Sequence, residues 1–408
     1  MKVGIISVYP PPKSKHSKQT GVASYSKNLV DSLQKLCPVV VFADNLKDST
    51  NEKDLDSENS PSLTVRRCWS RGIKYPFRIF KAVVNDDVDV VHIQHETYLF
   101  GGLFSAFAFP VLLAMLKLAR KPVIVTLHGV IPLSRIDRVF LKENQINGNP
   151  ILMKYGLSLL VKTIVSISNA IIVHEGALKE VLVKEYKCSF TKVHVIHHGI
   201  EEPKALVSAE EAKRKLGTSS RKVILFFGYI TGYKHLELLI ESARFINVSN
   251  WVMMIAGGSH PRLSEDPDYI KYLTDLKTEA SQISKNILFE GFVSEPDIPT
   301  YFSSADVVVF PYNILISSSG PLSLAVSYRR PFLVSASFRD TVNYNEIVFG
   351  NNPKELADKL NLFFKDPQYN FRVTKFADEF RLNRSWKKIS QQTFTLYEES
   401  KKIASESD

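Results

Sequence analysis

Cysteine is scarce in this sequence, and its scarcity excludes two kinds of architecture. Only Cys37, Cys68 and Cys188 occur in 408 residues, and three widely spaced cysteines form neither a disulfide framework nor a cysteine-rich metal site. We therefore expect a reducing compartment. The apolar run at the N-terminus meets three prolines at residues 10–12 before a signal-peptide core could form, so it predicts a buried strand of a cytoplasmic protein.

Long uninterrupted apolar runs are missing too. The segment Gly102–Ala119 is apolar almost throughout and about as long as a membrane-spanning helix. Pro110 and Lys117 interrupt it, however, and the strand-like VIVTLH follows shortly afterwards, which favours the crossover helix of a βαβ unit. The sequence predicts no transmembrane helix.

The motif G-x-G-x-x-G does not occur, which argues against an ordinary NAD-dependent enzyme. Low-complexity tracts are absent as well, and a composition of 44% hydrophobic and 23% charged residues is that of a globular protein. Because 408 residues exceed one compact core, we predict two domains.

Short β-rich apolar segments alternate with helical patterns in the first half of the chain, which is typical of a parallel sheet covered by helices. The predicted strands are Lys2–Val8, Pro38–Ala43, Val88–Gln94, Val123–His128, Ala170–Val173 and Val193–Ile196. Apolar residues three and four apart predict helices over Gly21–Leu36 and Leu178–Tyr186, and the polar Lys47–Ser62 reads as a surface loop.

The pattern restarts after a linker region at Glu201–Ser220. The predicted strands of this second parallel sheet are Lys222–Phe227, Trp251–Ala256, Asn286–Phe289, Val307–Pro311 and Pro331–Ser335. Trp386–Ile403 has helical periodicity and no strand after it, so we expect it to cross back onto the first domain. The predicted domains are 1–202 and 203–385, followed by a crossing helix in 386–408.

Positive charge is concentrated in the first half. Residues 1–200 carry 26 Lys and Arg against 16 Asp and Glu, whereas the remainder carries 26 of each. This bias indicates an anionic partner such as acidic lipid or a phosphate-bearing acceptor, with a merely soluble surface as the alternative. No aromatic-basic platform accompanies the charge, so we expect no nucleic-acid partner.

Polar residues of the first half fall at predicted strand ends. Gly21 lies just before a helix, where a missing side chain lets a ligand approach backbone N–H groups. His128 ends a strand at the edge where open α/β sheets bind ligands, although a neutral core histidine is the alternative. Asp87 and Asp89 mimic a metal-binding pair, but they open a strand, and we assign no metal.

In the second half, ILFFGYITGYKHLELLIESA reads as strand, tight turn and amphipathic helix. This places Gly228 and Lys234 at the mouth of the second sheet, where a lysine suits a phosphate group. The alternative, a solvated lysine, is unfavourable because cations are disfavoured at a helix N-terminus unless an anion is present.

A second phosphate-binding element is predicted after the strand that ends at Pro311. The sequence Ser319-Gly320-Pro321 predicts a helix start, with a serine cap and a proline in the first turn. The unpaired N–H groups of such a helix start suit a diphosphate, and the alternative is a purely structural cap.

Taken in order, these segments resemble the retaining GT-B glycosyltransferases of glycosyltransferase family four over nearly the full length. The matching features are GVASYSKNL, DVVHIQHE followed by LFGG, TLHG, VHVIHHGI, FFGYITGYKHLELLIESA, MIAGG, FEGFVSEPDIPTYFSSADVVVFPY and SWKKISQQTFTLYE. The resemblance implies an α/β GT-B fold, with two Rossmann-like domains facing each other across a cleft. It also implies retaining transfer of a hexose from a nucleotide-diphosphate sugar to a glycan or lipid-linked acceptor, with no metal and no other cofactor.

The resemblance assigns roles to individual residues. His128 would contact a sugar hydroxyl near the reacting carbon and Lys234 the diphosphate oxygens, so these two are the implied catalytic residues. The implied donor-binding residues are Gly21, Gly228, Ser319, Gly320 and Leu322. His95 and Glu96 are the implied acceptor-side candidates.

The chain departs from the family pattern around the phosphates. Tyr229 replaces an arginine that family members carry, and their two glutamates fall at Ile316 and Leu324. Charge on the leaving diphosphate would then rest on Lys234, helix N–H groups and Arg329 or Arg330. The alternative functions are a catalytically impaired family member that binds glycan, lipid or a partner enzyme, and a sugar-nucleotide epimerase.

Two basic-apolar stretches, RRCWSRGIKYPFRIFK and ILMKYGLSLLVK, predict peripheral docking of the first domain on the cytoplasmic face of an anionic membrane. The alternative for the first stretch is that Trp69, Tyr75, Phe77 and Phe80 pack inside the domain.

Overall fold

The computed structural model describes residues 1–11, 21–45, 59–143, 146, 148–203, 205–260, 263–315 and 319–406. The predicted loop Lys47–Ser62 lies outside these residues up to position 58. The chain divides into two compact units: the first runs from Met1 to Gly199 and resumes at Trp386, and the second spans Ile200–Leu315 and Ser319–Ser385. Each unit is built on its own parallel sheet.

Within the described residues, the first unit has a seven-stranded sheet in the order β3-β2-β1-β4-β5-β6-β7, and all its pairs are parallel. The strands are β1 Val3–Ser7, β2 Val39–Asp44, β3 Leu63–Trp69, β4 Val90–His95, β5 Val123–Leu127, β6 Ala170–Val173 and β7 Val193–Val195. The helices between them are α1 Gly21–Leu33, α2 Tyr75–Asp86, α3 Leu103–Phe107, α4 Phe109–Leu118, α5 Arg138–Glu143, α6 Pro150–Ile167 and α7 Gly176–Lys184.

Helices cover both faces of this sheet. Val40 and Phe42 of β2 pack in a core formed with α2, α4, α6 and α7, whereas Val39 and Val41 pack in a second core that includes α1. Successive residues of a strand point to opposite faces, so a strand buried on both faces is apolar at nearly every position. This explains why the strands of the sheet centre read as unbroken apolar segments.

The second unit has a six-stranded parallel sheet in the order β10-β9-β8-β11-β12-β13. The strands are β8 Lys222–Phe227, β9 Trp251–Ala256, β10 Ile287–Gly291, β11 Val307–Phe310, β12 Phe332–Ser335 and β13 Val348–Phe349. The helices are α8 Ala209–Lys215, α9 Leu236–Ser242, α10 Pro267–Ile283, α11 Ile298–Ser304, α12 Gly320–Ser327, α13 Arg339–Val342, α14 Pro353–Lys365 and α15 Pro367–Asn383.

The last helix, α16 Trp386–Glu406, belongs to the first unit. It packs against α1, where the hydroxyl groups of Ser32 and Ser390 lie 2.8 Å apart. Ile389 and Tyr397 of α16 are fully buried in the same core as Val39 and Val41. One face of the first sheet is therefore closed by α1 together with α16.

Two strands were not predicted from the sequence, and one predicted helix is divided into two. Strand β3 was not predicted, because its middle residues are polar or only partly buried, as suits an edge strand. The two-residue β13 is too short to show a period. Gly102–Ala119 forms two helices instead of one, with Pro110 in the first turn of α4, because proline cannot donate the hydrogen bond that would continue α3.

In the part of the chain that the structure describes, one helix is long and apolar enough to cross a membrane by length and composition. It is α6, whose 18 residues have a mean hydropathy of 1.4 and of which only 28% are buried. Asn149 caps it by accepting a hydrogen bond from the N–H of Ile151. The membrane-length segment considered from the sequence, Gly102–Ala119, is a different part of the chain.

Candidate functional site

The order of the second sheet marks a ligand crevice at the ends of β8 and β11. These strands are neighbours, but the chain leaves them toward opposite edges of the sheet. In open α/β sheets such a switch point leaves a crevice outside the carboxyl ends of the strands. Gly228 directly follows β8, and the loop after β11 leads to α12, so both predicted phosphate elements reach this point.

Glycines keep the backbone of this crevice close-packed. Gly228 has φ +120°, and a Cβ there would lie 2.9 Å from Nζ of Lys234 and 3.1 Å from Cγ of Pro321. A Cβ on Gly257 would lie only 1.9 Å from the carbonyl oxygen of Gly228. The sequence places glycine where these side chains and backbones approach one another.

Lys234 is buried beside Gly228. Its side chain lies in a short 3₁₀ turn, is 6% exposed, and sits 5.9 Å from the Tyr233 ring and 5.8 Å from the Tyr312 ring. Burial lowers the pKa of Lys234 to about 8. Among the described residues no Asp or Glu forms an ion pair with it. A buried ammonium of this kind is stabilised when an anion binds next to it.

The start of α12 supplies hydrogen-bond donors. Ser319 caps the helix, and its Oγ accepts a hydrogen bond from the N–H of Leu322 at 3.3 Å. The N–H of Leu322, which was predicted to bind the donor, is therefore already engaged. Pro321 has no N–H. The N–H of Gly320 has no acceptor among the described residues, and a Cβ on Gly320 would meet no atom within 4 Å. An anion at this helix start would therefore bind first at Gly320.

The structure corrects one proposed compensation for the missing arginine. The guanidinium of Arg330 donates to the carbonyl oxygens of Tyr328, Ser303 and Ala305, and Arg329 is the next residue at the same, carboxyl end of α12. That end lies about 12 Å from the helix start, at 1.5 Å per residue. The guanidinium of Arg330 is therefore not placed for a phosphate at Gly320.

Three residues stand where family members carry the arginine and the two glutamates, and the structure describes two of them. Tyr229 is partly exposed and lies 5.8 Å from the His260 ring and 6.4 Å from the Phe292 ring. Leu324 packs against the core of the second unit. Ile316 falls outside the described residues.

The first sheet has its own switch point, between β1 and β4. Helix α1 begins at Gly21 after β1, and a Cβ on Gly21 would meet no atom within 4 Å. One turn later, Tyr25 lies edge-on to the ring of His128 at 4.8 Å, and His128 directly follows β5. The predicted positions Gly21 and His128 therefore belong to one region of the first unit.

A row of hydrogen-bonded side chains runs behind His128. Its Nδ1 lies 3.2 Å from Nε2 of His174, and its Nε2 lies 2.9 Å from the side-chain amide of Gln94. The same amide lies 3.2 Å from Nε2 of His92, whose Nδ1 is 2.6 Å from the hydroxyl of Tyr397. Burial lowers the pKa of each histidine in the row, to about 3 for His92 and His174, so all three are neutral at pH 7.

Neutrality fixes the direction of these bonds. The carbonyl oxygen of Ile196 can only accept, so Nδ1 of His174 donates to it at 3.0 Å, and the unprotonated Nε2 of His174 faces Nδ1 of His128 at 3.2 Å. Oε1 of Gln94 can likewise only accept, so Nε2–H of His128 donates to it at 2.9 Å, and the NH₂ group of Gln94 donates to Nε2 of His92 at 3.2 Å. Both ring nitrogens of His128 are thus occupied within the first unit, so its implied contact with a sugar hydroxyl stays a prediction.

Sequence reasoning missed Tyr25, Gln94, His174 and Tyr397. The available signal was the strand VVHIQH, because polar residues within a strand buried on both faces need buried partners. His92 and Gln94 are two apart and so share a face of β4. Their partners come from distant parts of the chain, which sequence patterns do not connect.

The acceptor-side candidates lie at the end of β4. His95 is buried, its ring centroid is 4.5 Å from that of Phe109, and burial lowers its pKa to about 4. Its carbonyl oxygen accepts from the N–H of His128 at 3.1 Å. Glu96, the next residue, is exposed. The strand end therefore presents one neutral ring and one exposed carboxylate.

The carboxylate pair considered for a metal is engaged elsewhere. Asp87 pairs with Lys121 at 3.1 Å and Asp89 with Lys401 at 2.7 Å. Across the described residues, no group of three or more His, Cys, Asp or Glu could hold a metal ion.

Two family patterns match consecutive parts of the chain. Glycosyltransferase Family 4 matches residues 19–202, and Glycosyl transferases group 1 matches residues 208–380. The chain belongs to the GT-B group 1 glycosyltransferases. In this group 1 glycosyltransferase, the first pattern covers most of the seven-stranded sheet with its helices, and the second covers the six-stranded sheet with Gly228, Lys234 and α12.

Curated relatives match parts of this group 1 glycosyltransferase. An uncharacterized glycosyltransferase of Methanocaldococcus jannaschii is 28% identical over 237 residues, which cover 54% of this chain and 57% of that protein. The GDP-mannose:glycolipid 4-beta-D-mannosyltransferase of Xanthomonas campestris is 29% identical over 122 residues, 30% of this chain and 32% of that enzyme. The matches span between 24% and 57% of the curated relatives' lengths.

Solved structures confirm the fold. HepE of Anabaena, crystallised with UDP and glucose, superposes with a TM-score of 0.62 at 16% identity, covering 97% of this chain and 99% of HepE. At that identity the likeness establishes architecture only. The predicted α/β GT-B class with two parallel-sheet domains is thereby confirmed.

Proposed function

We propose that this group 1 glycosyltransferase is a retaining, metal-independent hexosyltransferase that uses a nucleotide-diphosphate sugar. The observation that carries the proposal is the buried ammonium of Lys234 beside Gly228, next to the start of α12. Burial lowers the pKa of this ammonium to about 8, no carboxylate among the described residues pairs with it, and a diphosphate supplies a counter-charge. The UDP held by the structural neighbour HepE supports this choice of ligand.

The proposed chemistry needs few protein groups. The bond between the anomeric carbon and the diphosphate oxygen breaks, the acceptor oxygen bonds to that carbon on the same face, and the acceptor's proton passes to the leaving diphosphate. Lys234 and the N–H of Gly320 stabilise the charge that develops there. We place His128 near a hydroxyl of the transferred sugar, and His95 and Glu96 on the acceptor side.

For the acceptor we propose a glycan or a lipid-linked saccharide at the cytoplasmic face of a membrane. Support comes from the excess of positive charge in residues 1–200 and from the glycolipid acceptor named for the Xanthomonas relative. A second candidate, a catalytically impaired member that binds glycan, lipid or a partner enzyme, is favoured by Tyr229 in place of the family arginine and by the occupied nitrogens of His128.

One assay separates these candidates. The purified protein is incubated with a panel of nucleotide sugars, and release of nucleoside diphosphate is followed with and without saccharide acceptors and with EDTA. The transferase proposal predicts acceptor-stimulated release that EDTA leaves unchanged, and a product whose anomeric configuration by NMR equals that of the donor. Donor binding without release would favour the impaired member, and interconversion of the donor without acceptor would indicate an epimerase.

A further inference from the structure

Helix α6 presents an apolar face outward. Leu152, Tyr155 and Leu159 are spaced by three and four residues and therefore lie on one side of the helix. They are 71%, 73% and 67% exposed. The opposite side, with Leu160 and Ile164, is buried in the core of the first unit. A surface helix normally turns polar residues outward, so a row of exposed apolar residues indicates a binding surface.

Neighbouring helices extend this row. A Cβ on Gly156 of α6 would lie 3.6 Å from Cζ of Phe107, so the half-exposed ring of Phe107 lies against α6. Helix α4 packs against α6 and also has exposed apolar residues. We call the combined patch the α6 surface, formed by Phe104, Phe107, Val111, Leu118, Ile151, Leu152, Tyr155 and Leu159.

The charge around the α6 surface is positive. Helices α2, α4 and α6 pack side by side, and they carry five basic residues, Arg78, Lys81, Lys117, Lys154 and Lys162. Their one acidic residue, Asp86, is paired with Arg66 at 3.3 Å. Lys162 continues the outward face of α6, seven residues after Tyr155. A second copy of this surface would face it with like charge, which opposes self-association.

We propose that the α6 surface docks the protein on a bilayer that contains anionic lipid. The helix lies in the plane of the interface, with its leucines and Tyr155 among the acyl chains and Lys154 and Lys162 at the phosphates. It lies on the membrane instead of spanning it, because its inner side is fixed in the protein core. This deepens the proposed function, since docking brings a lipid-linked acceptor to the first unit.

Of the two basic-apolar stretches that predicted membrane docking, only the second contributes to the α6 surface. In RRCWSRGIKYPFRIFK, Trp69 and Tyr75 are fully buried, and only Phe77 among its aromatics is largely exposed. The second stretch, residues 151–162, forms most of α6 and carries the docking residues.

Flotation with vesicles tests the proposal. Phosphatidylcholine vesicles with and without phosphatidylglycerol are mixed at low salt with wild type, L152S/Y155S/L159S, K154Q/K162Q and the control F371S. Phe371 lies on a helix of the second unit and is 66% exposed, which matches Leu159. We expect wild type and F371S to float only with phosphatidylglycerol. The triple variant should bind at least about tenfold more weakly, and each removed lysine should weaken binding about fivefold.

Three results would overturn the docking proposal. Wild type could remain in the soluble fraction, the triple variant could float like wild type, or sedimentation could show a dimer that the triple variant dissociates. The outward residues do not contribute to the core, so thermal unfolding should be unchanged in every variant. Nucleoside diphosphate release measured on the same samples tests transfer separately, because it needs no vesicle and flotation needs no donor.

Discussion

Replacing Lys234 with methionine should stabilise the ligand-free protein while it impairs transfer. The pKa of Lys234 is lowered from an ordinary value of about 10.4 to about 8. Lys234 therefore binds its proton less tightly in the folded state than in the unfolded state. This disfavours folding below pH 8, and the cost declines as the pH rises from 8 toward 10.4. At 1.36 kcal/mol per unit, the cost is about 3 kcal/mol at pH 7 and about 1 kcal/mol at pH 9.5.

Chemical denaturation of wild type and K234M at pH 7 and pH 9.5 measures this difference. We expect K234M to be more stable by up to about 3 kcal/mol at pH 7, with a smaller gain at pH 9.5. Its kcat/KM for nucleoside diphosphate release should fall about 100-fold, because a preorganised charge at the leaving group is lost.

The matched control for K234M is K213M. Nζ of Lys213 lies 2.7 Å from Oδ2 of Asp306, so its loss leaves a carboxylate without its partner. K213M should be destabilised by about 1–3 kcal/mol and keep its activity. A K234M protein that is no more stable than wild type, or that releases nucleoside diphosphate at the wild-type rate, would refute the reasoning.

Three further substitutions test the hydrogen-bonded row behind His128 and the glycine-lined crevice at Gly228. Gln94→Glu replaces the amide oxygen that accepts from His128 with a carboxylate, whose negative charge should raise the pKa of His128 by about 1–3, which ¹⁵N NMR of the ring detects. Gly257→Ala forces a methyl group against the carbonyl oxygen of Gly228, so donor turnover should fall about 100-fold while the circular dichroism spectrum is retained. Tyr397→Phe removes the hydroxyl group that pairs with Nδ1 of His92 and should lower the free energy of unfolding by about 1–3 kcal/mol in a denaturant titration.

The central strands of both sheets were predictable because their apolar segments are bounded by turn residues. Lys222–Phe227, Trp251–Ala256 and Ala170–Val173 have the predicted bounds. The edge strands β3 and β13 were not, because an exposed or two-residue strand leaves no clear apolar segment. Periodicity reports burial, and burial is incomplete at a sheet edge.

For the candidate site, the sequence predicted individual residues but not most of their contacts. Gly228 and Lys234 are brought together by one tight turn, so their proximity follows from the local sequence. The engagement of both His128 nitrogens depends on Gln94 and His174, and the His92–Tyr397 bond in the same row joins residues 305 apart in the sequence. Such partners are set by packing, and no local pattern contains them.

The position of α16 has a consequence for the order of events during synthesis. The chain leaves the first unit at Gly199 and re-enters it at Trp386. Until then, the sheet face that buries Val39 and Val41 lacks one of its two covering helices, and His92 lacks the hydroxyl of Tyr397. At 5–20 residues per second, the ribosome takes roughly 10 to 40 s to make the intervening second unit. The unit that begins first is thus completed last, and a ribosome that stalls within the second unit leaves an apolar face open for chaperones to cover.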